Sequence, residues 1–541
     1  MNVAEVVGRT LADLGVAHVY AVVGSGNFVV THALRDAGVG FTAARHEGGA
    51  ATMADAHART SGRVTVLSVH QGCGLTNAMT GLTEAAKSRT PLLVLAAEPA
   101  GAAVRSNFRV DQDALARAVG AVPERVHSAA SAVADTVRAF AVARRQRRTV
   151  VLNLPLDVQA QPCPSPAFVA AVEPWSPTRP DTASVASLAA VLAGARRPVF
   201  VAGRGARDAG PELAALADAC GALLTTSAVA HGLFACSPWS LGICGGFATP
   251  LAAELVAGAD VVVAWGASLT MWTTRHGALI GDVATVVQVD DDPAALGAHH
   301  PIDQGVLGDV AETARDVLRV VTPSSGYRSP ELAARLEAEG RWATLPVDDT
   351  STGERIDPRV LSAHLDALLP ADRTVATDSG NFMGYPAAYL AVPDAAGFCF
   401  TQAFQSVGLG LATALGAAIA RPDRLTVAAL GDGGFLMGVA ELETAARLGL
   451  PLLVVVYDDA AYGAEVHHFA GADHTTVTFP DRDLAAIGRG FGCEGLVVRA
   501  VEDLAGVRAW LEGPRDRPLV VDAKVVADEP SWWLAEAFRG H

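Results

Sequence analysis

Short apolar runs, many of them β-branched, punctuate the whole chain, at residues 19–23, 64–69, 92–96, 150–154, 198–202, 261–264, 286–289, 374–376, 426–430, 452–456 and 519–521. A run that is apolar along its length has no polar face for solvent, so each predicts a strand covered on both sides. Ala- and Leu-rich stretches of helical length separate the runs. Strand–helix–strand alternation predicts α/β architecture with doubly wound parallel sheets.

At 541 residues the chain exceeds the ~250–300 residues that one core serves. Two Pro-rich polar stretches divide it. One spans residues 161–182, with prolines at 162, 164, 166, 174, 177 and 180; the other runs from about 322 to 358. Three α/β units of similar size result, expected at 1–165, 183–325 and 350–530.

Charge and composition exclude several classes. Lys and Arg number 41 against 57 Asp and Glu, a net charge of −16 with no basic cluster, so neither nucleic acid nor an anionic membrane surface is an expected partner. No uninterrupted apolar run reaches the ~18 residues of a membrane span, and MNVAEVVGRT lacks the basic and apolar regions of a secretory signal. The seven cysteines form no CxxC pair, and an odd number of thiols fits a reducing cytoplasm. The two lysines, Lys87 and Lys524, both lie outside a GxxxxGK[ST] context, which disfavours P-loop chemistry.

The most informative segment is LTVAALGDGGFLMGVAELETAARLGLPLLVVVYDDAAYG, residues 425–463. It predicts a strand at 426–430, a Gly-Asp-Gly-Gly exit, a helix over 435–448 and a second strand at 452–456. A right-handed crossover brings both strand ends to one sheet edge. Asp432 and Asp459, which stand at the two strand exits, can then converge. Two carboxylates beside glycines suit a hard cation carrying phosphate oxygens, and Gly433 and Gly434 open a helix whose N–H groups favour phosphate. The alternative is a tight βα turn with two solvated aspartates.

This segment resembles the signature of the thiamine-diphosphate-dependent enzymes, the family that includes acetolactate synthase, benzaldehyde lyase and benzoylformate decarboxylase. The resemblance implies Mg²⁺ held by Asp432, Asp459 and the backbone carbonyl of Ala461, with Tyr462 and Gly463 against the diphosphate. The family usually has Asn where this chain has Asp458, so the site gains an acid. RHEGGAAT (45–52) is similar to the family's segment whose Glu, here Glu47, touches N1′ of the aminopyrimidine and promotes loss of the thiazolium C2 proton. By itself, Glu47 is equally an acid at a helix N-terminus.

In VHQGCGLTN (69–77), Gly72, Gly74 and Asn77 match the family turn against the pyrimidine, and Cys73 replaces a usual Pro. His70 matches a substrate-facing His of some decarboxylating members; a structural His is the alternative, and Gln71 shares that ambiguity. Gly380 and Asn381 in TDSGNFMG resemble diphosphate contacts. Val407, beside Gly408, matches the bulky residue that keeps the cofactor bent. The Gly24-Ser25-Gly26-Asn27 loop and SNFRVDQD (106–113) match segments that approach the substrate, which nominates Phe108 and Gln112. Glu465, His467 and His468 are further candidates, against a solvated His pair. In the middle unit, VAGRGARDAG (201–210) departs from GxGxxG. Related synthases bind FAD or ADP there, but a purely structural middle unit is the expectation.

The resemblance implies pyrimidine-binding, central and diphosphate-binding domains, and an active site shared between chains of a homodimer or homotetramer. Glu47 of one subunit would meet Asp432 of another. The expected activity is a decarboxylase or carboligase acting on 2-oxo acids, acetolactate synthase-like, with Glu47 activating the cofactor and His70, Gln112 and, as a further candidate, Glu465 handling protons. A 2-hydroxyketone lyase or carboligase using aldehydes and a non-catalytic ligand-binding relative are the alternatives.

Overall fold

The computed structural model describes residues 1–164, 169–537 and 539. It contains three six-stranded sheets, every pair parallel. The first comprises β1 (His18–Ala21), β2 (Gly40–Ala43), β3 (Thr65–Val69), β4 (Leu92–Glu98), β5 (Val122–Arg125) and β6 (Thr149–Pro155), in the order β2-β1-β3-β4-β6-β5. The second comprises β7 (Pro198–Ala202), β8 (Leu223–Thr226), β9 (Ser240–Ile243), β10 (Val261–Trp265), β11 (Thr285–Asp290) and β12 (Gln304–Leu307), in the order β12-β11-β10-β7-β8-β9. The third comprises β13 (Arg373–Thr377), β14 (Phe398–Phe400), β15 (Leu425–Gly431), β16 (Leu452–Asp458), β17 (Glu494–Val498) and β18 (Leu519–Lys524), in the order β14-β13-β15-β16-β18-β17.

The first and third sheets therefore share one topology. In each, strand order reverses beside the first strand, between β1 and β3 and between β13 and β15. Open α/β sheets bind ligands outside their carboxyl edge at such a reversal.

All of the apolar runs predicted above lie in strands, within three residues at their ends. Seven strands escaped the sequence: β2, β5, β8, β9, β12, β14 and β17. Six of these are sheet edges, where one flank faces solvent and the apolar signal weakens.

The stretch 322–358 is not wholly a linker. Pro330–Glu339 is a helix, begun by the Ser329 side chain accepting from the Leu332 amide and anchored by buried Leu332 and Leu336. A Ser-Pro start of this kind is a strong helix signal. The helix expected over 435–448 divides into Asp432–Gly438 and Glu441–Arg447. Gly438 is a poor interior helix residue, and the break carries Glu441 toward the first unit. In the first Pro-rich stretch, residues 165–168, including Pro166 and the expected boundary at 165, lie outside the described residues.

The first and third units share a core. Helix Glu47–Ser61 packs against helix Gly410–Ala420 through small residues; Ala50, Ala51, Met53 and Ala54 meet Leu411, Ala414 and Leu415 in one buried cluster. A Cβ on Gly416 would stand 2.2 Å from the Met53 carbonyl oxygen, so only glycine permits this approach. A buried ion network adds to the joint. Arg59 pairs with Asp55 and Glu84 and donates to the Phe400 carbonyl, while Glu84 accepts from the Phe404 amide.

The middle unit keeps cores of its own. A cavity of about 1560 Å³ opens at the carboxyl edge of its sheet, lined by Arg204 and Arg207 of the Gly-rich turn and by residues of the other units. Ion pairs Arg89–Asp292 and Arg147–Asp291 link the first unit to the middle one. Among the described residues no helix is long and apolar enough to cross a membrane.

Candidate active site

Two clusters occupy the carboxyl edges of the first and third sheets. In the third, Asp432 follows β15 and Asp459 follows β16, strands paired in register from Thr426 with Leu452 to Gly431 with Tyr457. The two carboxyls stand close enough for each to perturb the other. Burial, with repulsion from the neighbouring acids, pushes both well above the usual carboxylate range. Such a pair sheds its repulsion by taking up a proton or a cation.

The surrounding backbone is cut to fit. A Cβ on Gly463 would lie 2.3 Å from Asp459 Oδ2, and one on Gly433 2.6 Å from the Tyr462 ring. Ala461, whose carbonyl was matched to a metal ligand, bridges to Thr478. Its amide donates to Asp459 Oδ1 at 3.2 Å. Ala460, between the acids and Ala461, adopts φ +56. Asn381 abuts Gly463 and is tied to the C-terminal segment: Ser531 and Trp533 donate to its backbone carbonyl, and its Oδ1 accepts from the Ser531 amide. Gly380 and Gly408 have φ of +147 and +92, and Val407 is exposed beside them.

Two acids here went unread in the sequence. Asp378, at the end of β13, accepts from the amides of Ser379 and Gly408, and a Cβ on Gly434 would strike its Oδ2 at 2.5 Å. It thus fixes Val407–Gly408 against the Gly433–Gly434 turn. Burial raises its carboxyl to about 6. Glu441 accepts from the amides of Arg45 and His46, which anchors the start of helix Glu47–Ser61 on the third unit. The signal for Asp378 was an acid directly after an apolar run; Glu441 gave none, because its partners belong to the other end of the chain.

In the first cluster, Asn77 Nδ2 donates to Glu47 Oε2 at 3.1 Å. Glu47 begins its helix, where the macrodipole favours a carboxylate. His70 Nδ1 lies 3.2 Å from the Gln71 carbonyl oxygen and Nε2 lies 3.4 Å from Ser25 Oγ. A carbonyl only accepts, so Nδ1 carries the proton and Nε2 presents its lone pair beside Ser25 in the neutral ring. Phe108 stands edge-on to His70 with centroids 5.1 Å apart. The loops after β1, β3 and β4 thus converge around His70 within one chain.

Gln112, nominated from the 106–113 segment, lies beneath the Gly72 turn. It is 1% exposed, its Oε1 accepts from the Gly72 amide and its Nε2 donates to Asn153. One bond at each end of the amide ties the Gly72 turn to β6 through Asn153, which makes Gln112 a brace for that turn. Glu465, His467 and His468 share helix Gly463–His468, and burial lowers His467.

The residues present fit a diphosphate-bearing, metal-bound cofactor: a repelling acid pair, glycines whose side chains would fill the space, and a separate carboxylate at a helix start. Among the described residues no three His, Cys, Asp or Glu side chains gather as a metal site. Asp432 and Asp459 would need oxygen ligands from elsewhere, as Mg²⁺ bound to a diphosphate has.

Comparison with known proteins agrees. Residues 1–123 match the N-terminal TPP binding domain of thiamine pyrophosphate enzymes, 185–317 their central domain and 378–523 their C-terminal TPP binding domain. The chain is 31% identical to a probable 2-ketoarginine decarboxylase of Pseudomonas aeruginosa, covering 93% of this chain and 90% of that one. It is 28% identical to a sulfoacetaldehyde acetyltransferase of Castellaniella defragrans, covering 93% and 89%. A thiamine diphosphate-dependent 4-hydroxybenzoylformate decarboxylase of Rhodococcus jostii has the same fold, with a TM-score of 0.83 at 23% identity over 98% of this chain and 100% of that one. The chain belongs to the thiamine pyrophosphate enzymes, among the decarboxylases and acetolactate synthase-like members that make or break carbon–carbon bonds.

Proposed function

We propose that the protein is a Mg²⁺-dependent decarboxylase or carboligase that acts on 2-oxo acids with thiamine diphosphate. The observation that carries this is the acid pair Asp432–Asp459, buried together at the carboxyl edge of the third sheet, with Asp432 on the strand that flanks its strand-order reversal and its carboxyl raised by burial and by the Asp459 charge. Mg²⁺ would be held by Asp432, Asp459 and the Ala461 carbonyl. Gly380, Asn381, Gly433, Gly434, Tyr462 and Gly463 would hold the diphosphate end, Val407 and Gly408 the central ring, and Gly72, Asn77 and Glu47 the pyrimidine. When bound, thiamine diphosphate supplies a carbon nucleophile and an electron sink for cleavage beside a carbonyl.

The chain's own groups do the rest. Glu47, aimed by Asn77, would hold the pyrimidine ring nitrogen and share a proton with it. His70, with its tautomer set by the Gln71 carbonyl, takes or gives a substrate proton at Nε2. Gln112 acts as a positioning residue through Gly72. Two chains would form each site, as the resemblance implies, and Phe28, Phe404, Leu436, Met437 and Phe469, all exposed on one chain, are candidates for the covered face. The domains run 1–165, 183–325 and 350–530, and seven free cysteines suit the cytoplasm.

A panel of 2-oxo acids, 2-hydroxyketones and aldehydes, run with thiamine diphosphate and Mg²⁺ and scored for CO₂ and ligated product, tests the assignment. CO₂ release from a 2-oxo acid supports it. Cleavage of 2-hydroxyketones without CO₂ makes the protein a lyase instead, and no turnover with any donor overturns both.

A further inference from the structure

Asp458 adds a third acid beside Asp432 and Asp459, and its charge raises both of their carboxyls. The same side chain is partnered from below. Lys524, at the end of β18 and 2% exposed, donates from Nζ to Asp458 Oδ2 at 2.5 Å, to Asp481 Oδ1 at 2.6 Å and to the Arg482 carbonyl at 2.5 Å, and pairs with Asp522 at 3.0 Å. Asp458 Oδ1 meanwhile accepts from the Ala460 amide at 2.9 Å. One carboxylate thus joins the lysine to the turn that presents Asp459 and Ala461.

We infer that Lys524 is a positioning residue of the cofactor site, holding Asp458 as a turn anchor and offsetting part of the local negative charge, so that the cradle can attract a divalent cation with less repulsion of the diphosphate it carries. The inference rests on the cofactor assignment proposed above and extends it to side chains that touch neither cofactor nor metal. The charge count is simple. Lys524 with Asp458, Asp481 and Asp522 sums to 1 − 3 = −2; Lys524→Met makes it −3, Asp458→Asn makes it −1, and the double variant returns it to −2. An added negative charge strengthens a site for a bare cation and weakens it for an anion; a removed one does the reverse.

The test measures two constants for the metal-free full-length protein: binding of Mn²⁺ alone, by the electron-spin resonance of the free ion, and binding of thiamine diphosphate at saturating Mn²⁺, by calorimetry. In Asp458→Asn, Mn²⁺ alone should weaken and thiamine diphosphate tighten, each by about threefold or more. Lys524→Met should move both constants the opposite way. The double variant should bring both back to within about threefold of wild type, as coupled charges require. Asp458→Asn leaves Lys524 its other acid partners, so the test stands even if Lys524→Met does not fold. Constants that move in the same direction in Asp458→Asn, or do not move, overturn the inference. Wild-type protein that binds neither Mn²⁺ nor thiamine diphosphate overturns the cofactor assignment itself, a distinguishable failure.

Discussion

Gly416→Ala is a severe test of how the two cofactor-binding units are joined. The Cβ would lie 2.2 Å from the Met53 oxygen, 2.8 Å from its Cα and 2.9 Å from its carbonyl carbon. Ordinary contact begins at 3.4 Å, so helices Gly410–Ala420 and Glu47–Ser61 must part. The obstructing atoms are backbone, and no rotamer change relieves them. Overpacking of this kind costs about 1–3 kcal/mol. Glu47 rides on the displaced helix, about 1.7 turns before Met53. The separation needed is roughly 1 Å, and misplacement of a catalytic group by that much costs on the order of 10²-fold in rate. Turnover and thermal midpoint should both fall relative to Gly490→Ala, a helical glycine whose Cβ meets nothing within 4 Å. A Gly416→Ala protein as active and stable as Gly490→Ala would refute the argument that this approach sets the position of Glu47.

Glu47→Ala should lose at least about 10²-fold in turnover with its fold intact by circular dichroism, in line with general acid–base contributions; unchanged turnover would remove Glu47 from the chemistry. Dialysis against EDTA should abolish turnover, and Mg²⁺ should restore it; activity that survives chelation would contradict the role of Asp432 and Asp459. Asp378, raised by burial from 3.8 to about 6, holds a proton in the folded chain that the unfolded chain has released between those values. Lowering pH through that window should therefore stabilise wild type relative to Asp378→Asn, and parallel melting curves across the window would show that the carboxyl is not so buried.

What the sequence disclosed followed burial. Strands such as β16, buried along its whole length, announce themselves by composition, whereas β12 and β17 are half-buried edges with mixed residues and do not. The acid pair was legible because a crossover turns separation along the chain into adjacency at the sheet edge. Helix Pro330–Glu339 was hidden by its own Pro-rich surroundings. Lys524 stood out only as one of two lysines, and nothing local links it to Asp458, which leaves a different strand. The task of Gln112 was equally unreadable, since it depends on Asn153 arriving from β6.

The seam at Met53 and Gly416 also shapes how the protein is born. Most of the chain separates the two contacting residues. At about 5–20 residues added per second, an N-terminal unit that has already emerged waits on the order of 20–70 s for the helix that covers its alanine-rich face. Throughout that interval the nascent chain displays a greasy surface, and its yield in a foreign host should depend on holdase capacity more than on the strength of the finished fold.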